Sequence, residues 1–254
     1  MLGMECGSMA LWLLGTSGAV PDSQRDYVAL VVEHAGRLIL IEAGGSPLHR
    51  LSRMGLDPAR LEGVFLSHRH PDHLSALPVL LMGLWLQRRA HPLWIAGPED
   101  AVERAQALLE LFEWRSWSGM FPVNWRPIPL EHGAVVEESE GIRLMAAPVS
   151  HSVPTLALRI ELPEGVAVYS SDTAPCLEMI RLARGADVLI HEATGAYPGH
   201  SPPEGAGWVA QEAGVRRLIL VHVPPEVDPW EWKARAQEAF VGPVEVGWDG
   251  MRVM

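Results

Sequence analysis

The hexapeptide His68-Arg69-His70-Pro71-Asp72-His73 places three imidazoles and one carboxylate within six residues. Neutral imidazole nitrogen and carboxylate oxygen are the donors that zinc and related divalent ions take. A single histidine in a turn carries no such meaning, and His34, His49, His91 and His132 read as ordinary loop or surface residues. Four donors in one turn cannot enclose two cations, so further ligands are expected at the ends of other strands. Three positions meet that condition: His151 closes the run from Leu144 to Ser150, Asp172 follows Ala167 to Ser171, and His222 follows Arg217 to Val221.

Bringing those side chains into one cleft demands many short elements. Apolar, β-branched runs predict strands at 10–15, 27–33, 37–42 and 62–67, and again near 122–129, 142–148, 155–161, 166–171, 187–191 and 216–222. Helices are predicted over 74–88, 98–112, 176–184, 203–213 and 228–240. Strands then helices, twice over, suit an α+β fold: a four-layer αββα sandwich of two packed sheets with helices outside. At 254 residues, 48% of them hydrophobic, the chain can bury such a core as a single domain over 1–254. Strand-like sequence starts near Ala10, so residues 1–8 are expected to be a disordered extension.

Composition narrows the partners. A net charge of −11 opposes a broad basic surface for nucleic acid. Two cysteines, Cys6 and Cys176, are too few for a disulfide framework or a cysteine zinc cluster, and they fit a reducing compartment, so a cytoplasmic location is expected. The opening residues lack the basic start and long apolar stretch of a secretion signal, and no segment reaches about 18 uninterrupted apolar residues. No membrane contact is expected.

The ordered motifs together resemble the metallo-β-lactamase superfamily, and within it the ribonuclease Z-like branch. The resemblance runs from Leu14-Gly15-Thr16-Ser17-Gly18 through the histidine motif, Ser150-His151-Ser152, Ser171-Asp172-Thr173, His191-Glu192-Ala193-Thr194, Gly199-His200-Ser201 and Val221-His222. It implies the metallo-β-lactamase type of αββα sandwich and two divalent cations, Zn2+ or alternatively Mn2+. His68, His70 and His151 would hold one, Asp72, His73 and His222 the other, and Asp172 would bridge them. Such a pair can share and acidify a water, with Asp72 the candidate proton acceptor. His200 is the candidate general acid and Glu192 the residue that orients it or a ligand histidine. His191 reads as a buried structural histidine.

Departures from the branch bear on substrate. Its transfer-RNA endonucleases carry a long basic arm between the positions of His151 and Asp172, where this chain has a gap of 172 − 151 = 21 residues. Their P-x-K-x-R-N loop appears here as Pro21-Asp22-Ser23-Gln24-Arg25-Asp26, with the lysine lost and an acid in place of asparagine. The expected activity is therefore that of a phosphodiesterase on a small phosphoester, with transfer-RNA 3′ processing as the runner-up. A non-hydrolytic metal-binding or redox protein on the same scaffold is the rival from another class. The aromatic stretch Phe112, Trp114, Trp117, Phe121, Trp125 is read as core or homodimer interface ahead of a substrate wall.

Overall fold

Strands β1 (Ala10–Gly15), β2 (Ala29–His34), β3 (Arg37–Ile41), β4 (Leu61–Phe65), β5 (Leu93–Pro98) and β6 (Val123–Ile128) pair in chain order as one sheet. A second sheet has the order β13-β12-β11-β10-β9-β8-β7, from β7 (Ala134–Ser139), β8 (Ile142–Pro148), β9 (Leu156–Leu162), β10 (Gly165–Tyr169), β11 (Val188–Glu192), β12 (Arg217–Val221) and β13 (Val244–Val246). The helices are α1 (Pro47–Arg53), α2 (Pro71–Leu74), α3 (Leu77–Leu86), α4 (Glu99–Glu110), α5 (Leu177–Ala183), α6 (Pro203–Ala213) and α7 (Pro229–Gln237). This computed structural model describes residues 9–139 and 141–254, and the expected extension over 1–8 lies outside the described residues.

Strand pleating explains the layers. In β1 Leu11 and Leu13 point to one face while Leu14 points to the other, and β2 divides the same way into Leu30 and Val32 against Ala29 and Val31. One set meets Leu144, Leu158, Tyr169, Ile190 and Ile219 of the second sheet in the central core. The other packs under α3 and α4 with Leu77, Leu81, Leu84 and Leu109. The outer face of the second sheet packs under α5 to α7 through Met179, Val209 and Phe240. Sheets buried on both faces read as continuous apolar runs, which is why the sequence shows few alternating strands. The result is the expected αββα sandwich, and no described helix is long and apolar enough to cross a membrane.

Several elements fall outside the predicted ranges. All of β5 is buried, yet its Gly97-Pro98 end reads in sequence as a turn. Strand β7 is an edge strand whose Glu137 and Glu138 mask its character. The helix expected over 74–88 divides, because α3 restarts near Pro78, which supplies no backbone donor to a continuous helix. His34, read as a loop or surface residue, instead ends β2 and is buried, its ring against Gly141 in the turn between β7 and β8. The aromatic stretch is mainly core: Trp114 and Phe121 are buried under the first sheet's helices, Trp117 and Trp125 pack against them, and Phe112 is exposed.

Direction matters most for function. Strand β3 runs parallel to β4, and β1 shares its sense through two antiparallel pairings. In the second sheet β10, β11 and β12 are parallel, and β8 shares their sense through β9. Every strand that precedes a candidate site residue therefore delivers it at a carboxyl end, where αβ architectures leave room for ligands.

The histidine turn is pinned to the end of β3. The Ala43 amide donates to the His73 carbonyl at 2.7 Å, and the Ala76 amide to the Ala43 carbonyl at 2.8 Å. Between them Gly44 lies so close that a Cβ there would sit 1.7 Å from the Asp72 carbonyl oxygen. A Gly44→Ala variant must push this turn away. It is expected to lose about 1–3 kcal/mol of stability, read as a lowered Tm, together with metal affinity; a parental Tm and affinity would contradict the close approach.

Candidate metal centre

All seven residues singled out as metal ligands meet at the mouth between the sheets. His70 Nδ1 lies 3.0 Å from His68 Nε2 and 3.2 Å from His151 Nε2. Asp172 Oδ2 faces this group, 3.8 Å from His68 Nε2 and 3.9 Å from His151 Nε2. Its other oxygen, Oδ1, is 3.5 Å from both His73 Nε2 and His222 Nε2. Asp72 Oδ2 completes that second group, 3.5 Å from His73 Nε2 and 3.4 Å from His222 Nε2. Donors about 2.0–2.2 Å from a tetrahedral ion stand roughly 3.3–3.6 Å from one another. The 3.4–3.5 Å spacings of the second group fit such a sphere, those of the first group, 3.0–3.9 Å, straddle it, and Asp172 faces both.

Unsatisfied buried atoms point the same way. His73 Nε2 and Asp172 Oδ1 are buried without a protein hydrogen-bond partner among the described residues. Orphans of this kind are costly unless something neutralises them. A cation between an imidazole nitrogen and a carboxylate oxygen would do so, and the donor set suits a divalent one.

Four of the five imidazoles have a polar group against the second nitrogen. His68 Nδ1 bonds Ser67 Oγ at 2.9 Å, and His151 Nδ1 donates to the Gly199 carbonyl at 2.8 Å. His222 Nδ1 donates to Thr194 Oγ1 at 2.7 Å, which in turn donates to Glu192 Oε2 at 2.7 Å. His73 Nδ1 lies 3.2 Å from Glu42 Oε1. These partners turn the Nε2 atoms of His68, His73, His151 and His222 into the cleft and select the tautomer that can ligate.

Backbone geometry adds a second sign. Glu42, Ser171 and His222, at the ends of β3, β10 and β12, have φ of 68°, 54° and 55°. Non-glycine residues there cost of order 1–3 kcal/mol each and persist where the surroundings over-determine them. The turns re-aim Glu42, Asp172 and His222 into one point.

Electrostatics divides the centre. Burial, then the neighbouring His73, holds His68 well below the usual imidazole range, and burial also lowers His70. Burial opposes charge on His73 too, but Asp172 and Glu42 outweigh it and raise His73 well above that range. For His222 burial is likewise outweighed, by Asp172 and the Asp72 contact. Burial would raise Asp172, yet His222 and His73 hold it well below the ordinary carboxylate value. The surplus of negative charge lies around Asp72, Asp172 and Glu42, where a cation is most favoured.

Glu192 and His200 adjoin this centre, and a His200 ring nitrogen also lies within 4.8 Å of ligand atoms of Asp172 and His222. The His200 ring stacks on His222 with centroids 5.9 Å apart, and its Nδ1 donates to Glu192 Oε1 at 3.1 Å. Burial works against its charge, but the Glu192 bond and charge raise its pKa above the ordinary value. Glu192 is buried and accepts from five donors: His200 Nδ1, Thr194 Oγ1 and the amides of Thr173, Thr194 and Ser201. A surface role for it is excluded. His191 is fully buried, with Nδ1 donating to the Glu192 carbonyl at 2.7 Å, away from the cleft.

Sequence reasoning missed Glu42, Ser67, Thr194 and the Gly199 carbonyl. Glu42 carries the same signal as Asp172, an acid directly after an apolar strand. The others have no signature, since their roles arise from where the loops cross. The open cavity above the centre, about 270 Å³, is lined by His70, Asp72, Asp172, His200 and His222 on its floor.

Known proteins share this arrangement of chain and fold. A model of the beta-lactamase superfamily domain matches residues 37–223. A ribonuclease Z of Mycobacterium sp. (strain KMS) is 31% identical over 268 residues, covering 95% of this chain and 94% of its own. Among solved structures, the human tRNase Z short form superposes with a TM-score of 0.80 at 23% identity, covering 97% of this chain and 99% of its own. A diphosphatase from the PhnP family gives 0.76 at 18% identity, covering 97% and 98%. The two structural likenesses establish the fold.

Removing the shared anion tests the centre. Asp172→Ala is expected to lose metal from both donor groups by elemental analysis while keeping its circular dichroism, because among the described residues no other carboxylate faces both. Retention of the full metal content would refute the shared position. Glu42→Gln, which loosens His73 and the turn that Glu42 ties at the Ser67 amide, should weaken metal binding by roughly 10- to 100-fold.

Proposed function

The chain belongs to the β-lactamase superfamily, in its ribonuclease Z-like branch, and is a metal-dependent hydrolase; we propose that it cleaves small phosphodiesters with two divalent cations, zinc or alternatively manganese. His68, His70 and His151 would hold one ion, Asp72, His73 and His222 the other, with Asp172 between them. Bound there, the cations supply Lewis acidity toward a phosphoryl oxygen and make water acidic near neutral pH. In the hydrolysis a water oxygen joins phosphorus as one ester P–O bond breaks, giving a phosphomonoester and an alcohol.

The chain's own groups move the protons. Asp72 faces the cavity and accepts the proton that water gives up. His200 supplies one to the departing ester oxygen. Its Nδ1–H is committed to Glu192, so Nε2 is the atom left for the substrate. The observation that carries the reading is this Glu192–His200 pair, set over the cleft against His222, with His200 Nδ1 held by Glu192. A hydrolase acting on an activated acyl bond has less need of an acid for its leaving group.

The relatives named ribonuclease Z favour a second reading, transfer-RNA 3′ processing. Two features weigh against it. The 21-residue stretch from His151 to Asp172 holds only β9, β10 and their turn, with no room for an arm. Arg25, retained from the family's loop, is paired with Asp22 and bonded to the carbonyls of Val223 and Pro224. The two cysteines support a cytoplasmic setting.

His200→Ala is expected to keep both metals and its fold, yet lose about 100- to 10,000-fold in kcat on a diester with a poor leaving group. On an ester of p-nitrophenol, whose oxygen needs little proton assistance, the loss should be much smaller. Equal losses on both would assign His200 to substrate positioning, and loss of metal would make it a ligand. Absence of diester turnover by the metal-loaded parent would defeat the functional reading.

A further inference from the structure

We propose that the cavity selects a phosphodiester with a single negative charge and a flat apolar ester group, and discriminates against substrates bearing a second phosphate. The inference rests on the phosphodiesterase reading and goes on to say which diester. Three loops build the wall above the metal floor. The β1–β2 loop contributes Val20, the β11–α6 loop Tyr197, and the segment after β12 Pro224, Pro225 and Glu226. Val20 is 62% and Tyr197 61% exposed, so both side chains are open to a group bound in the cavity.

Tyr197 stands beside the acid of the proposed reaction. Its backbone carbonyl accepts the His200 amide at 3.0 Å, and its amide donates to the Gly195 carbonyl at 2.8 Å, so the ring rides on the turn that carries His200. Tyr197 and the stiff Pro224-Pro225 pair line the same cavity as His200, so a flat leaving group held at His200 shares that cavity with an aromatic ring and an apolar wall. Stacking on an aromatic face tolerates many rings and needs no specific hydrogen bond.

Charge is distributed against a second phosphate. No lysine or arginine is among the described residues that line the cavity. Arg25, the nearby cation of the β1–β2 loop, is spent on Asp22 and the wall carbonyls of Val223 and Pro224. The only lysine in the chain, Lys233, lies over the Trp230 ring on α7. Glu226 is exposed at the rim. One phosphate is met at the metal floor, whereas another at the mouth finds a carboxylate and a chain of net charge −11.

Two matched comparisons test this with the metal-loaded protein. Thymidine 5′-(p-nitrophenyl phosphate) is compared with the same ester carrying a 3′-phosphate; the parent should prefer the former in kcat/KM at low salt, and added salt should narrow the gap. Glu226→Lys should narrow it by about two- to fivefold. Diphenyl phosphate and dimethyl phosphate are then compared as competitive inhibitors. Tyr197→Ala should raise the inhibition constant of diphenyl phosphate roughly tenfold and leave dimethyl phosphate unchanged, with Tyr197→Phe restoring the parental value. Equal or faster turnover of the 3′-phosphorylated ester, or a Tyr197→Ala effect that is absent or the same on both inhibitors, overturns the inference alone. No turnover of any diester by the parent overturns the phosphodiesterase reading and this inference with it.

Discussion

The Asp172 carboxylate is only 2% exposed, and it is wedged among imidazoles from three other strand ends. An ionised carboxylate removed from water costs several kcal/mol unless opposite charge or hydrogen-bond donors replace its solvent. That demand organises the centre. His73 and His222 crowd one oxygen, His68 and His151 the other, and the backbone accepts a positive φ at Ser171 to bring the carboxylate there. The proposed pair of cations answers the same demand more completely, because each oxygen then faces a full positive charge.

Neither sheet makes the centre alone. The first contributes the turn from His68 to His73 after β4 and Glu42 after β3, and the second contributes His151, Asp172, Glu192 and His222. The central core that presses the sheets together, including Phe65, Tyr169 and Val221 just behind the candidate ligands, therefore sets how the two halves of the centre meet. Tyr169 shows the link, since burial and then the nearby Glu42 push its phenol well above the usual range and keep it neutral under the centre. Metal binding and sheet packing should stabilise one another.

How much of this the sequence discloses follows from chemistry. Ligands for two cations come from a short menu of side chains, and those side chains sit where apolar strands stop, so His151, Asp172 and His222 were legible beside the histidine turn. The αββα layering was legible too, because strands and helices recur in the same order. Glu42 escaped although it ends β3 as Asp172 follows β10, its meaning resting on a contact with His73 from another loop. Thr194 and Ser67 are ordinary residues until the loops cross. His34 was misread because the Gly141 turn that covers it lies 107 positions away (141 − 34 = 107). Elements were lost where a local signal contradicted the tertiary role, as with Gly97-Pro98 in β5 and the acids of β7.

Function then rests on a division of labour between a buried, over-determined floor and a sparsely charged rim. The most direct test of the central claim is anomalous diffraction from crystals of the zinc-loaded protein. Two peaks about 3.5–4 Å apart are expected. One would be bonded by His68, His70, His151 and Asp172 Oδ2, the other by Asp72, His73, His222 and Asp172 Oδ1. A single peak, or a pair with Asp172 bound to only one ion or with His200 in the coordination sphere, would contradict it.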